Sequence, residues 1–380
     1  MPSHYCRKDS TKLYLEQFFQ TKQELYREYK NYCDENGFSN LILSNPVFDQ
    51  TFSELNLALY QPKKDRCDIC CGFETKNISE IEYQKHLEKK ERARQEKDKD
   101  KELAQQEKVY TFCMDLQAVK ICPVVNASKI YYKTKLAVHN FTIYDMNTHV
   151  CRNYWFNETE ADLSAPTFTN FILDFIKDKC TKNIPIILYS DGCCYQNRNC
   201  ILSNALLNYS IKKKVLIEQK YLEKGHTQME CDAVHSLIER KLKNRNIELP
   251  SDYVKLTKEA RTKPFPLEVV DVNHDFFLDY ADQKNWIYNS IRPGRKVNDP
   301  TVTDLRHLKY NFETKLIEYK IDFNEEFQPL PVRSLKYPEI EYNVLHQRRL
   351  KIKEIKWKHL QEIKCVLSKD CHSFYDNLLH

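Results

Sequence analysis

The sequence predicts an α/β fold whose core is a mixed five-stranded sheet with helices. After about residue 108, segments with strand-like patterns are followed by segments with helical spacing. The order, three strands and then helix, strand, helix, strand, helix, is typical of an α/β domain. Hydrophobic residues make up 41% and charged residues 30% of the 380 residues, as in a globular protein. No stretch approaches the roughly 18 consecutive apolar residues of a membrane span, so no membrane association is expected.

Residues 1–108 are predicted to form a helical region. Apolar residues at helical spacing indicate a helix over 10–35, and a shorter apolar segment follows at 47–59. Residues 78–107 mix Lys and Arg with Glu along their whole length. This pattern predicts a long exposed helix that bridges two parts of the protein, with a flexible linker as the alternative.

Residues 109–245 are predicted to hold the sheet. The predicted strands are 109–116, 129–145, 149–157, 184–189 and 215–222. A turn at 146–148 joins the second and third strands, which makes them antiparallel. The fourth strand is wholly apolar, which is typical of a buried central strand.

Three helices complete the predicted core. They begin at Ser164–Pro166, near Asn197 and after Gly225, and the proline lies in the first turn of its helix. This succession of strands and helices is the ribonuclease H-like arrangement. The turn after Leu116 lacks the glycines of a dinucleotide-binding loop, and the chain has no P-loop. We therefore expect no small-molecule cofactor.

Residues 246–380 are predicted to form a basic α+β extension. A hairpin is expected at 310–323 and a helix at 347–366. Residues 348–364 contain seven Lys or Arg and two Glu, and this surplus of five equals the net charge of the whole chain. Such a helix suits a polyanion, and a solvated helix face is the alternative.

Three acidic residues mark the predicted catalytic site. Asp115 ends the first strand, Asp191 ends the fourth, and Glu230 opens the last helix. The first and fourth strands are neighbours in this arrangement, and carboxylates held side by side are relieved by a divalent cation. At about 100° per residue, Glu230 falls at the centre of the packing face, and Asp232 is the alternative third acid. The pattern predicts two Mg²⁺ or Mn²⁺ ions that act on phosphodiesters.

Polar residues near these acids are predicted to bind the substrate. They are Gln196, Asn197, Arg198, Asn199 and His226. We expect Arg198 to contact phosphate and His226 to bond a metal ligand or a phosphate. The alternatives are that Asn197 or Asn199 caps a helix and that His226 is a structural cap. Gly192 suits a sharp bend or a close approach to a ligand, with a simple strand end as the alternative.

Cys67, Cys70 and His86 are predicted to bind zinc, with buried or spare thiols as the alternative. Zinc requires four donors, and Cys71 can replace Cys70. The candidates for the fourth ligand are His4, Cys6 and Cys33. Fifteen cysteines in 380 residues, without a secretion signal, indicate reduced thiols and an intracellular protein.

Three short motifs resemble those of cut-and-paste transposases of the DDE type: residues 112–115, 189–192 and 225–230. The chain as a whole is similar to a family of uncharacterised, transposon-derived proteins of arthropods, in which runs like 190–199 and 225–235 occur in this order. The resemblance implies a ribonuclease H-like catalytic core and magnesium-dependent DNA strand transfer. Members of that family are longer at the N-terminus, so a site-specific DNA-binding domain is expected to be missing here.

The predicted function is transposase-like DNA cleavage and strand transfer in the nucleus. One alternative is a catalytically inactive DNA- or protein-binding protein derived from a transposase. A second alternative is a metal-dependent ribonuclease or a structure-selective nuclease. DNA is the expected partner, and assembly into a homo-oligomer is left open.

Overall fold

The computed structural model describes residues 13–15, 18–19, 21–59, 67–332 and 340–380. It divides into two units, Met1–Ser79 and Glu80–His380. The sequence-based boundary at 108/109 places the predicted long helix in the first unit, and the structure places it in the second. Among the described residues, no helix combines the length and the apolarity that crossing a membrane requires.

The first unit contains three helices and a pair of two-residue strands among its described residues. Its elements are β1 (Leu13–Tyr14), α1 (Lys22–Glu35), α2 (Asn45–Glu54), β2 (Leu57–Ala58) and α3 (Asp68–Glu74). The helix predicted over 10–35 begins only at Lys22, because Thr21 and Glu24 form a capping box there. Leu13 and Tyr14 pair in parallel with β2 instead.

The second unit is built on one mixed sheet with helices. The strands are β3 (Tyr110–Leu116), β4 (Lys120–Cys122), β5 (Leu136–Asp145), β6 (Cys151–Asn157), β7 (Ile186–Ser190), β8 (Ile217–Tyr221), β9 (Glu268–Asp271), β10 (His307–Asn311), β11 (Leu316–Lys320) and β12 (Gln328–Pro329). The helices are α4 (Glu80–Gln105), α5 (Ala165–Lys179), α6 (Cys200–Lys213), α7 (Glu230–Leu242), α8 (Pro250–Lys258), α9 (Glu354–Ile363) and α10 (His372–Asp376). The described part of the chain is therefore a mixed α/β protein.

The five predicted strands lie next to each other in the middle of the sheet. The strand order is β12-β11-β10-β8-β7-β3-β5-β6-β9, with β4 paired to β5. The central strands β3, β7 and β8 are parallel, and β5 is antiparallel to β3. This sheet thus has ten strands among the described residues, whereas the predicted core had five. The second predicted strand starts late, at Leu136, because Ser128–Ile130 form a short 3₁₀ helix.

The C-terminal segment completes this sheet instead of forming a separate extension. The hairpin expected at 310–323 is confirmed as β10 and β11, and β10 pairs with β8. At the other edge, β9 pairs in parallel with β6. The predicted basic helix over 347–366 is shorter: α9 starts at Glu354, and a 3₁₀ turn follows it. Leu360 and Ile363 of α9 are fully buried in the core of the second unit.

Alternate residues of the central strands face two different helix layers. Phe112 of β3 and Leu188 of β7 pack with α5 and α6, where Phe171 and Phe175 are fully buried. The residues between them, such as Cys113 and Tyr189, belong to a second cluster on the opposite face. Helices α4 and α7 contact β3 on that second face.

The charge-dense helix α4 packs against the sheet. Its buried residues are His86, Ala93, Asp100 and Ala104. Asp100 Oδ2 accepts hydrogen bonds from Lys220 Nζ of β8 and from the Tyr189 hydroxyl, each at 2.6 Å. Lys220 Nζ also donates to Glu96 Oε1 at 2.7 Å. The predicted long helix over 78–107 is confirmed as α4, but the expectation that it is exposed is wrong, because long-range ion pairs allow a polar stripe of α4 to be buried. Its role as a bridge stays a prediction.

Candidate functional site

Asp115 and Asp191 lie side by side at the carboxyl ends of two central strands. β3 and β7 are parallel neighbours, with Cys113 paired to Tyr189. Asp115 and Asp191 each come two residues after a member of that pair. Because side chains alternate along a strand, both aspartates project on the face that carries Cys113 and Tyr189. The predicted adjacency of these two strands is confirmed.

The electrostatics of Asp115 reflect this crowding. Burial, together with the negative charges of Asp191 and Asp232, raises the pKa of Asp115 to about 7. The Asp115 side chain is 23% exposed. A nearby cation would favour the ionised form of this carboxyl group, because its positive charge offsets both the burial of the carboxylate and the repulsion by its neighbours.

The carboxylate of Asp191 is oriented by the loop that follows it. Asp191 Oδ1 accepts hydrogen bonds from the backbone N–H of Cys193 at 2.9 Å and from Asn197 Nδ2 at 3.2 Å. Asn197 is itself almost fully buried, and its carbonyl oxygen accepts from Gln219 Nε2. Oδ2 of Asp191 receives no hydrogen bond from the residues that the structure describes. One oxygen is thus fixed by the protein, and the other is left for a ligand.

Helix α7 brings two more carboxylates to the same face. Asp232 is the third residue of α7. Its carboxylate accepts a hydrogen bond from the backbone N–H of Met229 at 3.0 Å and so caps the start of the helix. The buried residues of α7 are Cys231, Val234 and Ile238. The packing face is therefore centred between Cys231 and Val234. The prediction that Glu230 lies at the centre of this packing face is wrong. The buried Cys231 moves the centre of the face by most of a quarter turn around the helix axis.

Glu230 is held in an ion pair at the edge of this face. Its Oε2 atom lies 2.7 Å from Lys97 Nζ of α4 and 3.4 Å from Cys113 Sγ. Burial alone would raise the pKa of Glu230, but the Lys97 ammonium outweighs it and holds the pKa below its usual value. Lys97 also donates to the carbonyl oxygen of Gln228 at 3.2 Å, just before the helix. This pair fixes the start of α7.

Asp232, rather than Glu230, comes together with Asp115. One ligand atom from each of Asp115, Asp232 and His235 lies within 4.8 Å of the other two. His235 Nδ1 is 3.9 Å from Asp115 Oδ2, and His235 Nε2 is 3.0 Å from Thr142 Oγ1. Burial lowers the pKa of His235 to about 4, so the ring is neutral at neutral pH.

The role of His235 was not predicted from the sequence. The available signal is its spacing, because residues three apart on a helix, such as Asp232 and His235, share one face. Two carboxylates and an imidazole are a set of donors that can bind a divalent metal ion.

Three of the four predicted binding residues that follow Asp191 are buried: Gln196, Asn197 and Arg198. Arg198 is 5% exposed, donates from Nη1 to the carbonyl oxygen of Thr303 at 2.7 Å and lies over the ring of Tyr221. The prediction that Arg198 contacts phosphate disagrees with this buried position. Gln196 is also buried, and its Nε2 atom donates to the hydroxyl of Tyr195 at 3.0 Å.

Asn199 serves as the cap that the sequence offered as an alternative. It is the N-cap of α6, where its Oδ1 atom accepts from the backbone N–H of Leu202 at 2.9 Å. Its Nδ2 atom donates to the carbonyl oxygen of Cys194 at 3.0 Å. Both bonds tie the loop after Asp191 to the helix that follows it.

We expect Gly192→Ala to destabilise the loop that holds Asp191. Gly192 has a φ of +76°, and an added Cβ would lie 2.0 Å from Nη2 of the fixed Arg198. Strain and the displacement of Arg198 together should lower the free energy of unfolding by about 2–4 kcal/mol. Urea denaturation measures this change.

Gly37 provides the matched control for Gly192→Ala. Its φ is +78°, but an added Cβ would meet no atom within 4 Å. Gly37→Ala therefore reports the backbone strain alone and should cost about 1 kcal/mol. Equal losses in the two variants would contradict the proposed packing of Arg198 against Gly192.

His226 lies against helix α4. Its Nε2 atom is 3.0 Å from Nε2 of His86, and burial lowers the pKa of His86. Two imidazole nitrogens at this distance can bind one metal ion or share one proton. The structure thus directs His226 toward His86, and its predicted bond to a metal ligand or a phosphate remains a prediction.

The zinc prediction stays a prediction from the sequence. Cys67 and Cys70 lie one turn apart at the start of α3 in the first unit, and His86 belongs to the second unit. Of the candidates for the fourth ligand, Cys33 is buried in α1. His4 and Cys6 lie outside the residues that the structure describes.

The basic residues of the C-terminal segment are largely neutralised. Four of the seven between 348 and 364 form ion pairs: Arg349 with Glu160, Lys356 with Glu158, Lys358 with Glu354, and Lys364 with Asp376. A surface that binds a polyanion needs unpaired positive charge. These pairs favour the alternative of a solvated helix face over a surface that binds a polyanion.

Comparisons with known proteins assign no function to the chain. A search of curated proteins found no match, and a search of solved structures found none either. The family described as "Domain of unknown function (DUF7869)" matches residues 134–320, a region that contains Asp191, Glu230, Asp232 and His235.

Proposed function

We propose that this protein is a metal-dependent nuclease of the ribonuclease H-like type, related to DDE transposases, that cleaves and joins DNA phosphodiesters. The observation that carries the proposal is the placement of Asp115 and Asp191 on adjacent parallel strands. A carboxylate from α7, Asp232, lies within 4.8 Å of Asp115 on the same face of the sheet.

The topology of the central sheet supports this proposal. In chain order, the five central strands are β3, β5, β6, β7 and β8, and their spatial order is third, second, first, fourth, fifth. The second strand is antiparallel to the first, and the fourth and fifth strands are parallel to the first. This is the arrangement expected of a ribonuclease H-like core, and it brings the first and fourth strands together.

The residues at this site fit a divalent cation. Asp115, Asp191 and Asp232 offer oxygen donors, and burial together with the charges of the other two raises the pKa of Asp115. Mg²⁺ and Mn²⁺ prefer such carboxylate ligands. When bound, metal ions of this kind activate an attacking oxygen and stabilise the leaving oxygen in phosphodiester cleavage.

Within the proposed site, Asp232 acts as the third acid in place of Glu230. The Glu230 carboxylate is already neutralised by Lys97 at 2.7 Å. Asp232 has no ion pair among the described residues and contributes to the repulsion at Asp115. We therefore assign Glu230 and Lys97 a positioning role at the start of α7. DNA as the substrate would place the protein in the nucleus.

Manganese binding tests the site directly. Calorimetric titration of the full chain with Mn²⁺ should show binding, and Asp191→Asn should weaken it at least about tenfold, because a charged ligand is lost. Asp98→Asn is the matched control, since Asp98 is exposed on α4 and makes no described hydrogen bond. The affinity of Asp98→Asn for Mn²⁺ should equal that of the wild type.

The titration also separates the competing functions. A folded wild type that binds no Mn²⁺ would reject the nuclease proposal and favour a DNA- or protein-binding protein. If Mn²⁺ binds, matched DNA and RNA substrates should be compared under the same conditions. Cleavage of RNA alone would favour the ribonuclease alternative over a transposase-like activity.

A further inference from the structure

We propose that His235 is a direct nitrogen ligand of the metal ion bound by Asp115 and Asp232. This inference rests on the proposed function, since it concerns the same site. It changes the chemistry of that site from one built on oxygen donors to a mixed nitrogen and oxygen site. Such a site favours a divalent transition-metal ion such as Mn²⁺ or Co²⁺ over Mg²⁺, because Mg²⁺ strongly prefers oxygen ligands.

The geometry places His235 among the carboxylates. A ligand atom of His235 lies within 4.8 Å of those of both Asp115 and Asp232. The atom that faces Asp115 is Nδ1, at 3.9 Å from Oδ2. The side chain is only 12% exposed. This burial and the contact of Nε2 with Thr142 Oγ1 restrict the orientation of the ring.

A chain of hydrogen bonds determines which nitrogen of His235 carries the proton. Asn153 Nδ2 lies 3.3 Å from the carbonyl oxygen of Glu268, which can only accept, so this end of the amide is the donor. Asn153 Oδ1 is then an acceptor, and the Thr142 hydroxyl donates to it at 3.0 Å, as Asn140 Nδ2 does at 3.2 Å. Thr142 has no second hydrogen, so its Oγ1 atom accepts from Nε2–H of His235 at 3.0 Å.

It follows that Nδ1 of the neutral His235 ring bears a lone pair. Nδ1 is the ring nitrogen that lies 3.9 Å from Oδ2 of Asp115. A metal-binding histidine usually donates its other ring N–H to an acceptor that sets the tautomer, and Thr142 is placed to serve as that acceptor. Thr142 is therefore a positioning residue, and His235 is the ligand.

Pulsed electron paramagnetic resonance of Mn²⁺ bound to the full chain tests the proposal. A directly coordinated imidazole gives an electron spin echo modulation from ¹⁴N, and we expect this modulation in the wild type. It should disappear in His235→Gln, whose affinity for Mn²⁺ should fall about tenfold or more. His359→Gln, a change in α9, is the matched control and should retain the modulation.

Two further results keep this inference separate from the proposed function. Mn²⁺ that binds without ¹⁴N modulation in the wild type would overturn the role of His235 and leave the carboxylate site intact. A wild type that binds no Mn²⁺ would overturn both. The wild-type spectrum decides the matter even if His235→Gln does not fold. Thr142→Val should weaken Mn²⁺ binding and retain the modulation, as expected for a positioning residue.

Discussion

Asp115→Asn is expected to raise the free energy of unfolding of the metal-free protein by roughly 2–4 kcal/mol at pH 8. At that pH the folded wild type holds the ionised Asp115 beside Asp191 and Asp232, in a partly buried position. The amide has nearly the same shape and carries no charge. The substitution therefore removes the repulsion while it removes a metal ligand, so the more stable variant should bind Mn²⁺ more weakly.

The effect of Asp115 on stability should depend on pH with a definite sign. An unfolded aspartate ionises at about pH 4, whereas the folded group ionises only near pH 7. Between these values the folded state holds more protons, so the stability of the wild type falls as the pH rises through this window. Asp115→Asn should lack this contribution.

Urea denaturation with a chelator, at pH 4 and at pH 8, measures this difference. The gap between Asp115→Asn and the wild type should be small at pH 4 and largest at pH 8. Asp98→Asn, at an exposed position of α4, controls for the loss of a surface charge. A gap that does not change with pH would show that repulsion at Asp115 is not its cause.

Lys220→Met is expected to destabilise the second unit by about 3–5 kcal/mol. Lys220 and Asp100 are each 2% exposed, and Nζ lies 2.6 Å from Oδ2. Nζ also lies 2.7 Å from Oε1 of Glu96 and 3.7 Å from Oε2 of Glu218. The methionine would fill the space but would leave the Asp100 carboxylate buried without its cation.

Two further variants show whether the unpaired charge causes the loss. Lys220→Met combined with Asp100→Asn should recover much of the stability, because the buried charge is removed with its partner. Lys182→Met breaks an exposed ion pair with Glu107 and should leave the stability unchanged. The charge explanation would be wrong if the double variant were less stable than Lys220→Met alone. Chemical denaturation measures all three.

The centre of the fold could be predicted because its signals are local. An apolar strand that is followed by an acidic residue, such as Asp115 or Asp191, can be predicted from a few consecutive residues. The adjacency of the two strands followed from the order of strands and helices along the chain, and the pairing of β3 with β7 agrees with it.

The burial of α4 could not be predicted in the same way. The helix buries Asp100 and His86, which no scale of hydrophobicity would place in a core. The partner that makes Asp100 tolerable, Lys220, comes 120 residues later in the chain. A sequence gives no means to pair these two charges among the many of each sign.

The packing face of α7 differs from the predicted one because Cys231 belongs to it. Cys231 is fully buried and lies 3.6 Å, sulfur to sulfur, from Cys113 of β3. Treating Cys231 as an apolar residue would have moved the centre of the packing face away from Glu230. The ion pair of Glu230 with Lys97 could not be predicted from the sequence, because it depends on where α4 packs.

The central place of β3 bears on how the limits of this domain should be drawn. The strand lies between β7 and β5, but it precedes residues 134–320, the region shared with other proteins. A fragment cut to those residues would lose the middle strand of its sheet, the helix α4 that covers one face, and Asp115. We therefore expect a fragment that begins near Glu80 to fold more readily than one cut to residues 134–320.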